Sequence, residues 1–528
     1  MMKRREFLKG SGALAGAVAL LPQKGFALLQ SAQAAPPDGS IFFETSDANH
    51  QRCYRSALNL LAANVQTMPG YREPVLIEGS VYRGVWLECA PHEGLVYSAI
   101  RPDIARNNHL AFFANQREDG QLPCNVKVNE NGYGQIQMVV PIAATAWDLS
   151  QDMQDSRLLE TAYESCSRWD AWLRRYRDTR HTGLCEGFCT YDTGNDNSPR
   201  WAGMPNGCPD HDARRCPPVP GLPRLSPDLS ATVYGGRVAL AAMARALGKN
   251  TEADRWVHDA ETIRSAIVDR LYDADDAAFY DRDPQDRFVR VRGAAITVAL
   301  GEHVADQPLF EAIYRRQIHN PSAFWAPYPL PSIALDDPTF VRPIPRNSWG
   351  GAAQALTALR APRWMEHYGK PADLAHLMQQ WVAAFVRAGD FRQQMDPLNG
   401  TFTEDPGGYS PAALALMDFT WRLSGVRKAE DNLEWNIRPP ASATRSTFRR
   451  RVTPTLNAEI RYASGQGELF LNERSVAKTG STTRLITTRD GKFLSAAGIA
   501  SRKTLVKLHH GDAEQKFWIE PNASRKLG

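Results

Sequence analysis

The chain has 528 residues, 43% of them hydrophobic, and a formal net charge of only +4. So small a charge, with no basic block beyond Arg449-Arg450-Arg451 and no aromatics interleaved with one, argues against nucleic acid as a partner. The length exceeds what one compact core usually holds, so a large domain with a smaller companion is expected.

The first residues, Lys3-Arg4-Arg5-Glu6-Phe7-Leu8-Lys9, precede a short apolar run from Gly12 to Leu21 and an Ala32-Gln33-Ala34 cleavage site. That order reads as a twin-arginine signal over residues 1–34, with the Tat machinery as export partner and a periplasmic or secreted destination. No later stretch approaches the ~20 apolar residues of a membrane span, so the mature chain is not expected to be a membrane protein. Eight cysteines suit an oxidising compartment, although spacing alone does not assign their pairing. Cys208 and Cys216, which bracket a polar loop, are expected to form a disulfide. Cys185-x3-Cys189 with Cys208, His211 and Cys216 matches no standard zinc finger, and neither a metal nor a cofactor is expected.

From about residue 50 to 425 apolar residues recur at steps of three and four. Leu159, Tyr163, Cys166, Leu173 and Tyr176 form one such stripe. Ser226-Pro227 predicts an N-cap with a proline at the first helical position, and the helix runs through Val233, Arg237, Ala241 and Ala244 to Gly248. After that turn, Thr251-x-x-Asp254 resembles a capping box opening a helix with Trp256, Ala260, Ile263, Ile267 and Leu271 on one face. A further stripe after Pro371 (Leu374, Leu377, Trp381, Phe385) stops at Gly389, and another helix starts at Ser410-Pro411. Roughly eleven segments result, close to the twelve of six hairpins closed in a ring. The expected fold is therefore mainly α, an (α/α)6 toroid over 35–433, followed by a small β-rich C-terminal domain over 434–528. Short alternating runs such as Glu468–Leu471 and Thr483–Thr487 carry that last expectation. Residues 441–453 read as a linker or an exposed strand pair.

Long irregular segments at 69–102, 178–225, 320–347 and 389–409 interrupt the helices, and loops of that length usually carry function. Two of them present carboxylates among turn-forming residues, Tyr191-Asp192-Thr193-Gly194-Asn195-Asp196-Asn197-Ser198-Pro199-Arg200-Trp201 and Thr401-Phe402-Thr403-Glu404-Asp405-Pro406-Gly407-Gly408-Tyr409. Glycoside hydrolysis needs one carboxylic acid to protonate the leaving oxygen and a second carboxylate to act on water or the anomeric carbon, which two loops meeting in a cleft would supply. The same residues also suit ordinary turn and cap duties. Trp86, Trp201, Trp325, Tyr328, Trp349 and Tyr409 lie in or beside the long loops as candidates to stack on sugar faces. Arg200 and Arg346 are candidates to bind hydroxyls or an acidic substituent, and Asn197 adjoins the first carboxylate.

At Thr193–Arg200 the chain resembles the inverting (α/α)6 toroid hydrolases related to glycoside hydrolase family 63 and mannosylglycerate hydrolase, whose motif reads Ser/Thr-Gly-x-Asp-Asn-Ser-Pro-Arg. The segments Phe324–Ser332 with Asp336–Phe340, Asn347-Ser348-Trp349-Gly350-Gly351 and Phe402-Thr403-Glu404 follow in family order, so the resemblance spans roughly residues 50–425. It implies that Asp196 is the general acid and Glu404 the general base of an inverting hydrolysis of an α-glycoside, with a carbohydrate or glycoside as substrate. Two departures bear on the substrate: the family's Arg-Gly-Pro beside the tryptophan is Trp349-Gly350-Gly351, and its Glu-Asn-Tyr is Glu404-Asp405-Pro406. A carbohydrate-binding toroid without catalysis and a polysaccharide lyase or sugar epimerase on the same scaffold are the competing readings. The first sits poorly with both carboxylates being present, and the second lacks a His inside either motif.

Overall fold

The computed structural model describes residues 40–527, so the signal segment and its cleavage site lie outside the described residues. Twelve α-helices occur among the described residues: α1 (Ala48–Ala63), α2 (Ala90–Tyr97), α3 (Pro102–Phe113), α4 (Ile142–Met153), α5 (Ser156–Tyr176), α6 (Pro227–Ala246), α7 (Asn250–Leu271), α8 (Ala295–Gly301), α9 (Gln307–Ile313), α10 (Ala355–Met365), α11 (Pro371–Ala388) and α12 (Ser410–Ser424). The even-numbered helices touch in a closed cycle, α2 to α4, α6, α8, α10, α12 and back to α2, while α3, α5, α7 and α11 pack outside their hairpin partners and α1 outside α12. This is the toroid of six hairpins.

Sequence chemistry sorts the two rings. The outer α5 buries Leu158, Leu159, Ala162, Tyr163, Cys166, Trp169 and Leu173 along one face and turns its charges outward except Asp170, which is buried against Arg237, with Asp155 capping the Leu158 N–H at 3.0 Å. The inner α12 is buried from Ser410 through Trp421, since neighbours cover it on every side. Such a helix lacks the polar face that makes the 3.6-residue rhythm visible. For the same reason α2, short and carrying Pro91 and Gly94, is hidden within what the sequence presents as the loop 69–102. Two start signals act differently from expectation. Ser226 precedes α6 but its Oγ caps nothing and is buried without a partner, so Pro227 alone marks that start. α7 begins at Asn250 behind Lys249, without a side-chain cap.

From Val426 onward strands dominate, in two antiparallel sheets, while shorter strands lie among the helices. The five-stranded one orders 426–429, 432–437, 483–488, 493–497 and 524–526. The seven-stranded one orders 41–45, 445–453, 456–463, 466–471, 474–479, 504–510 and 513–519. Its edge is therefore supplied by the N-terminal strand Ile41–Thr45, whose register pairs Phe43 with Phe448. The described chain is one compact unit, and "mainly α" describes the toroid but not these sheets. Residues 445–453 are a paired strand rather than a linker. No helix among the described residues is long and apolar enough to cross a membrane.

Candidate active site

The first carboxylate loop is built around Asp192, which is fully buried. Its two oxygens accept from Arg177 Nη1 at 2.5 Å and from the N–H groups of Ile136 (2.8 Å), Phe188 (2.7 Å) and Cys189 (3.2 Å). With every lone pair engaged by a cation and three amides, Asp192 folds the turn at Thr190–Thr193 and has no capacity left for chemistry. Gly194 follows at φ +63°, and a Cβ there would lie 1.5 Å from Glu88 Oε2, so only glycine lets the loop close over Glu88.

That turn delivers Asp196 to a junction of loops. Its carbonyl accepts from the Trp349 N–H at 2.9 Å, and its Oδ2 accepts from Asn347 Nδ2 at 3.3 Å. The backbone N–H of Asn347 donates in turn to Asp405 Oδ1 at 3.1 Å, so one residue ties the Asp196 loop to the Glu404–Asp405 loop. Asn197, exposed and at φ 56°, adds a bond from its Nδ2 to the Asn347 carbonyl at 2.7 Å. Burial pushes the Asp196 carboxyl up to about 6, with the Asn347 bond opposing. Asp192, neutralised by Arg177, contributes nothing to that rise.

Glu404 and Asp405 behave oppositely. Asp405 is buried, and its carboxylate accepts from Asn347 N–H and Thr403 Oγ1 and faces Arg346 Nε at 3.4 Å. Glu404 is exposed and makes no hydrogen bond or ion pair among the described residues. Asp405 clamps the loop while Glu404 faces water.

Several groups at this junction escaped the sequence reading. Tyr82, edge-on to Trp86 at 5.8 Å, donates to Gln393 Oε1 at 3.2 Å, and Gln393 Nε2 donates to Asn347 Oδ1 at 3.2 Å. Beneath them lie three buried acids. Glu78 accepts from the Tyr409 hydroxyl at 2.7 Å, and its carboxyl is pushed up to about 8 by burial, with Glu93 and Asp196 adding repulsion. Glu88 is raised well above the carboxylate range by burial and then by Glu78, and Glu93 rises to about 7 through burial. The floor of the site is thus made of carboxyls that hold protons near neutral pH and can donate as well as accept. The signal for them was a pair of glutamates, Glu78 and Glu88, set in the apolar stretches Val75-Leu76-Ile77 and Val85-Trp86-Leu87.

Of the binding candidates, Asn197, Trp86, Arg346 and Trp349 are brought to this junction. Trp349 is only 4% exposed and acts through its backbone, and Arg346 stands exposed at the rim. Tyr409 is buried under Glu78 and offers no open ring face. Arg200 is not a ligand group. Its guanidinium is buried between Asp228 (2.6 and 2.7 Å) and Asp281 (2.6 Å), two carboxylates that consume its donors and charge. Trp201 is likewise core, 2% exposed and packed on Gly187. Trp325 lines a different cavity of about 470 Å³ with His319, His376 and Asp373, where the toroid meets the loop holding Asn522. Tyr328 packs on Gly400, and its hydroxyl accepts from Arg387 Nη2 at 3.2 Å. These five placements share a cause: loop residues near a motif in sequence face the core or another pocket once the loop folds.

Comparison with known proteins bears on this geometry. A twin-arginine signal model matches residues 1–20, which places the chain among proteins exported by that pathway. No curated protein matches the sequence. Among solved structures, the family 63 mannosylglycerate hydrolase of Thermus thermophilus, in complex with Tris, is similar with a TM-score of 0.58 at 20% identity. That match covers 69% of this chain and 99% of the other. A neutral trehalase from Saccharomyces cerevisiae matches with a TM-score of 0.53 at 12% identity over 70% of this chain and 80% of its own. At such identities the likeness shows the toroid fold. The family model described as the mannosylglycerate hydrolase MGH1-like glycoside hydrolase domain matches residues 82–421, and the chain belongs to that family of glycoside hydrolases.

Proposed function

We propose that this exported hydrolase cleaves an α-glycosidic bond with inversion, Asp196 serving as general acid and Glu404 as general base. The observation that carries the reading is the junction at Asn347, which holds a half-buried Asp196, its carboxyl raised to about 6, against the loop bearing an exposed Glu404. Asp196 protonates the leaving oxygen and departs as the carboxylate, which the Asn347 amide stabilises. Glu404, reached by solvent, takes a proton from a water attacking the anomeric carbon from the opposite face. Inversion requires that water to fit between sugar and base, so the bound complex should hold the two carboxyl groups roughly 6.5–9.5 Å apart. Glu404 is favoured over Asp405 because the latter's lone pairs already serve Asn347, Thr403 and Arg346. Half-buried Trp86 and Tyr82 supply the ring faces for a sugar, and Asn197 and Arg346 the polar rim.

The test uses purified mature protein on a panel of α-linked disaccharides and glycosides of small acids and osmolytes, mannosylglycerate and trehalose among them. Proton NMR of the first product should show the β-anomer. Asp196→Asn and Glu404→Gln should each lower the rate roughly 10²-fold or more, the scale of a positioned acid or base. An initial α-anomer, or near-normal turnover by either variant, refutes the assignment.

A further inference from the structure

Seven residues before Asp196, Cys189 lies with its Sγ 3.9 Å from that of Cys208, and both thiols are buried with Phe188 in a small cluster separate from the main core. All eight cysteines are free thiols in this structure, including the expected pair Cys208 and Cys216. The segment from 189 to 208 contains the whole acid loop. Its ends are joined by backbone bonds from Thr190 N to Pro205 O (2.9 Å) and Tyr191 N to Asn206 O (3.2 Å), so the two cysteines are held in register.

A metal does not suit the cluster. Asp192 is near both sulfurs, but its oxygens are filled by Arg177 and three amides, and the Arg177 guanidinium lies 3.8 Å from the Cys208 Sγ, where it opposes a cation. We propose that Cys189 and Cys208 form a disulfide in the exported protein, closing a covalent ring around the loop that bears Asp196. The bond differs from the Cys208–Cys216 pairing that spacing favours, because the fold places Cys189, not Cys216, within thiol contact of Cys208.

Cys216, half-buried against the same pair, is the point of entry for an oxidant. Burial pushes its thiol up to about 12, so the small fraction present as thiolate slowly attacks a small disulfide such as oxidised glutathione and releases one glutathione. The Cys208 thiolate displaces the second glutathione from Cys216. Cys189 then attacks the Cys208 sulfur, and Cys216 leaves as a thiol. Two protein thiols are oxidised, one glutathione disulfide is reduced to two thiols, and the thiol protons leave with them.

The full mature protein, purified under reductant, is incubated with oxidised glutathione, denatured, alkylated and digested with trypsin without reduction. Cleavage after Arg180, Arg200, Arg214, Arg215 and Arg224 separates the three cysteines onto different peptides. The expected product joins 181–200 to 201–214, with fragmentation locating the link at Cys189 rather than Cys185. Its formation should raise the melting temperature by a few degrees, an increment that Cys189→Ala abolishes. Full alkylation of Cys189 and Cys208, or a stable link from Cys208 to Cys216, overturns the proposal. The wild-type peptide map decides even if the variant does not fold.

Discussion

Replacing Asp196 by Asn separates its protonation from its shape. The carboxyl sits at about 6 in the folded chain against 3.8 when unperturbed, because burial penalises the charged form. A folded-state pKa above the unfolded one means stability that is fully present below pH 3.8 and lost as pH rises through about 6. The difference corresponds to roughly 3 kcal/mol at 1.36 kcal/mol per unit. Asn carries no charge at any pH, keeps an oxygen for the Asn347 amide and fills the same space. Its stability relative to wild type should therefore rise between pH 4.5 and 7.5 by about 2 kcal/mol, the part of the total that falls in this window, while turnover collapses. Urea unfolding of both proteins at the two pH values measures this as a difference of differences, in which the other buried carboxyls largely cancel. An offset between variant and wild type that is the same at both pH values would show that Asp196 is not held protonated, and the assignment of the general acid would lose its physical basis.

Glu404→Gln should leave the melting temperature unchanged, whereas Asp405→Asn should lower it by several degrees, because only Asp405 is buried in bonds to Asn347 and Thr403. Thermal melts of the pair check this, and equal effects would merge the two roles. Asp281→Asn should cost about 1–3 kcal/mol by weakening the charge-assisted bonds that Asp281 accepts from the buried Arg200 guanidinium, which Asp228 still neutralises, with denaturant unfolding as the readout. Gly194→Ala should disable the site by driving a Cβ into Glu88, and adding Glu88→Ala should restore folding as judged by circular dichroism. Replacing Arg4 and Arg5 by Lys should leave uncleaved precursor in the cytoplasm, which fractionation and immunoblotting detect.

The carboxylate motifs were legible because a turn that must present a side chain needs particular small residues around it, and Gly194, Asn197 and Pro199 write that requirement into the sequence. Asn347 was legible only as part of a motif. Its two bonds, one to Asp196 and one to the Asp405 loop, join residues 151 and 58 positions away, and no local pattern encodes such a meeting. Arg200 shows the reverse. An arginine beside a catalytic motif invites a ligand role, but Asp228 at the start of α6 and Asp281 in a short strand arrive from distant parts of the chain and neutralise it. Glu78 and Glu88 left only the trace of glutamates in apolar stretches, because the raised carboxyls of Glu78, Glu88 and Glu93 come from their burial in the fold.

The amphipathic outer helices, the twin-arginine leader and the two carboxylate loops were determined by the sequence alone. Periodicity, turn residues and a charged leader are local properties, set by each residue's neighbours within a few positions. Tertiary structure decided the closure of the inner ring, the N-terminal strand at the edge of the C-terminal sheet, the approach of Cys189 to Cys208, and which aromatics lie at the Asn347 junction. Each of these depends on contacts between residues far apart in the chain, whose free energy is shared among many partners and so leaves no short signature in any one segment.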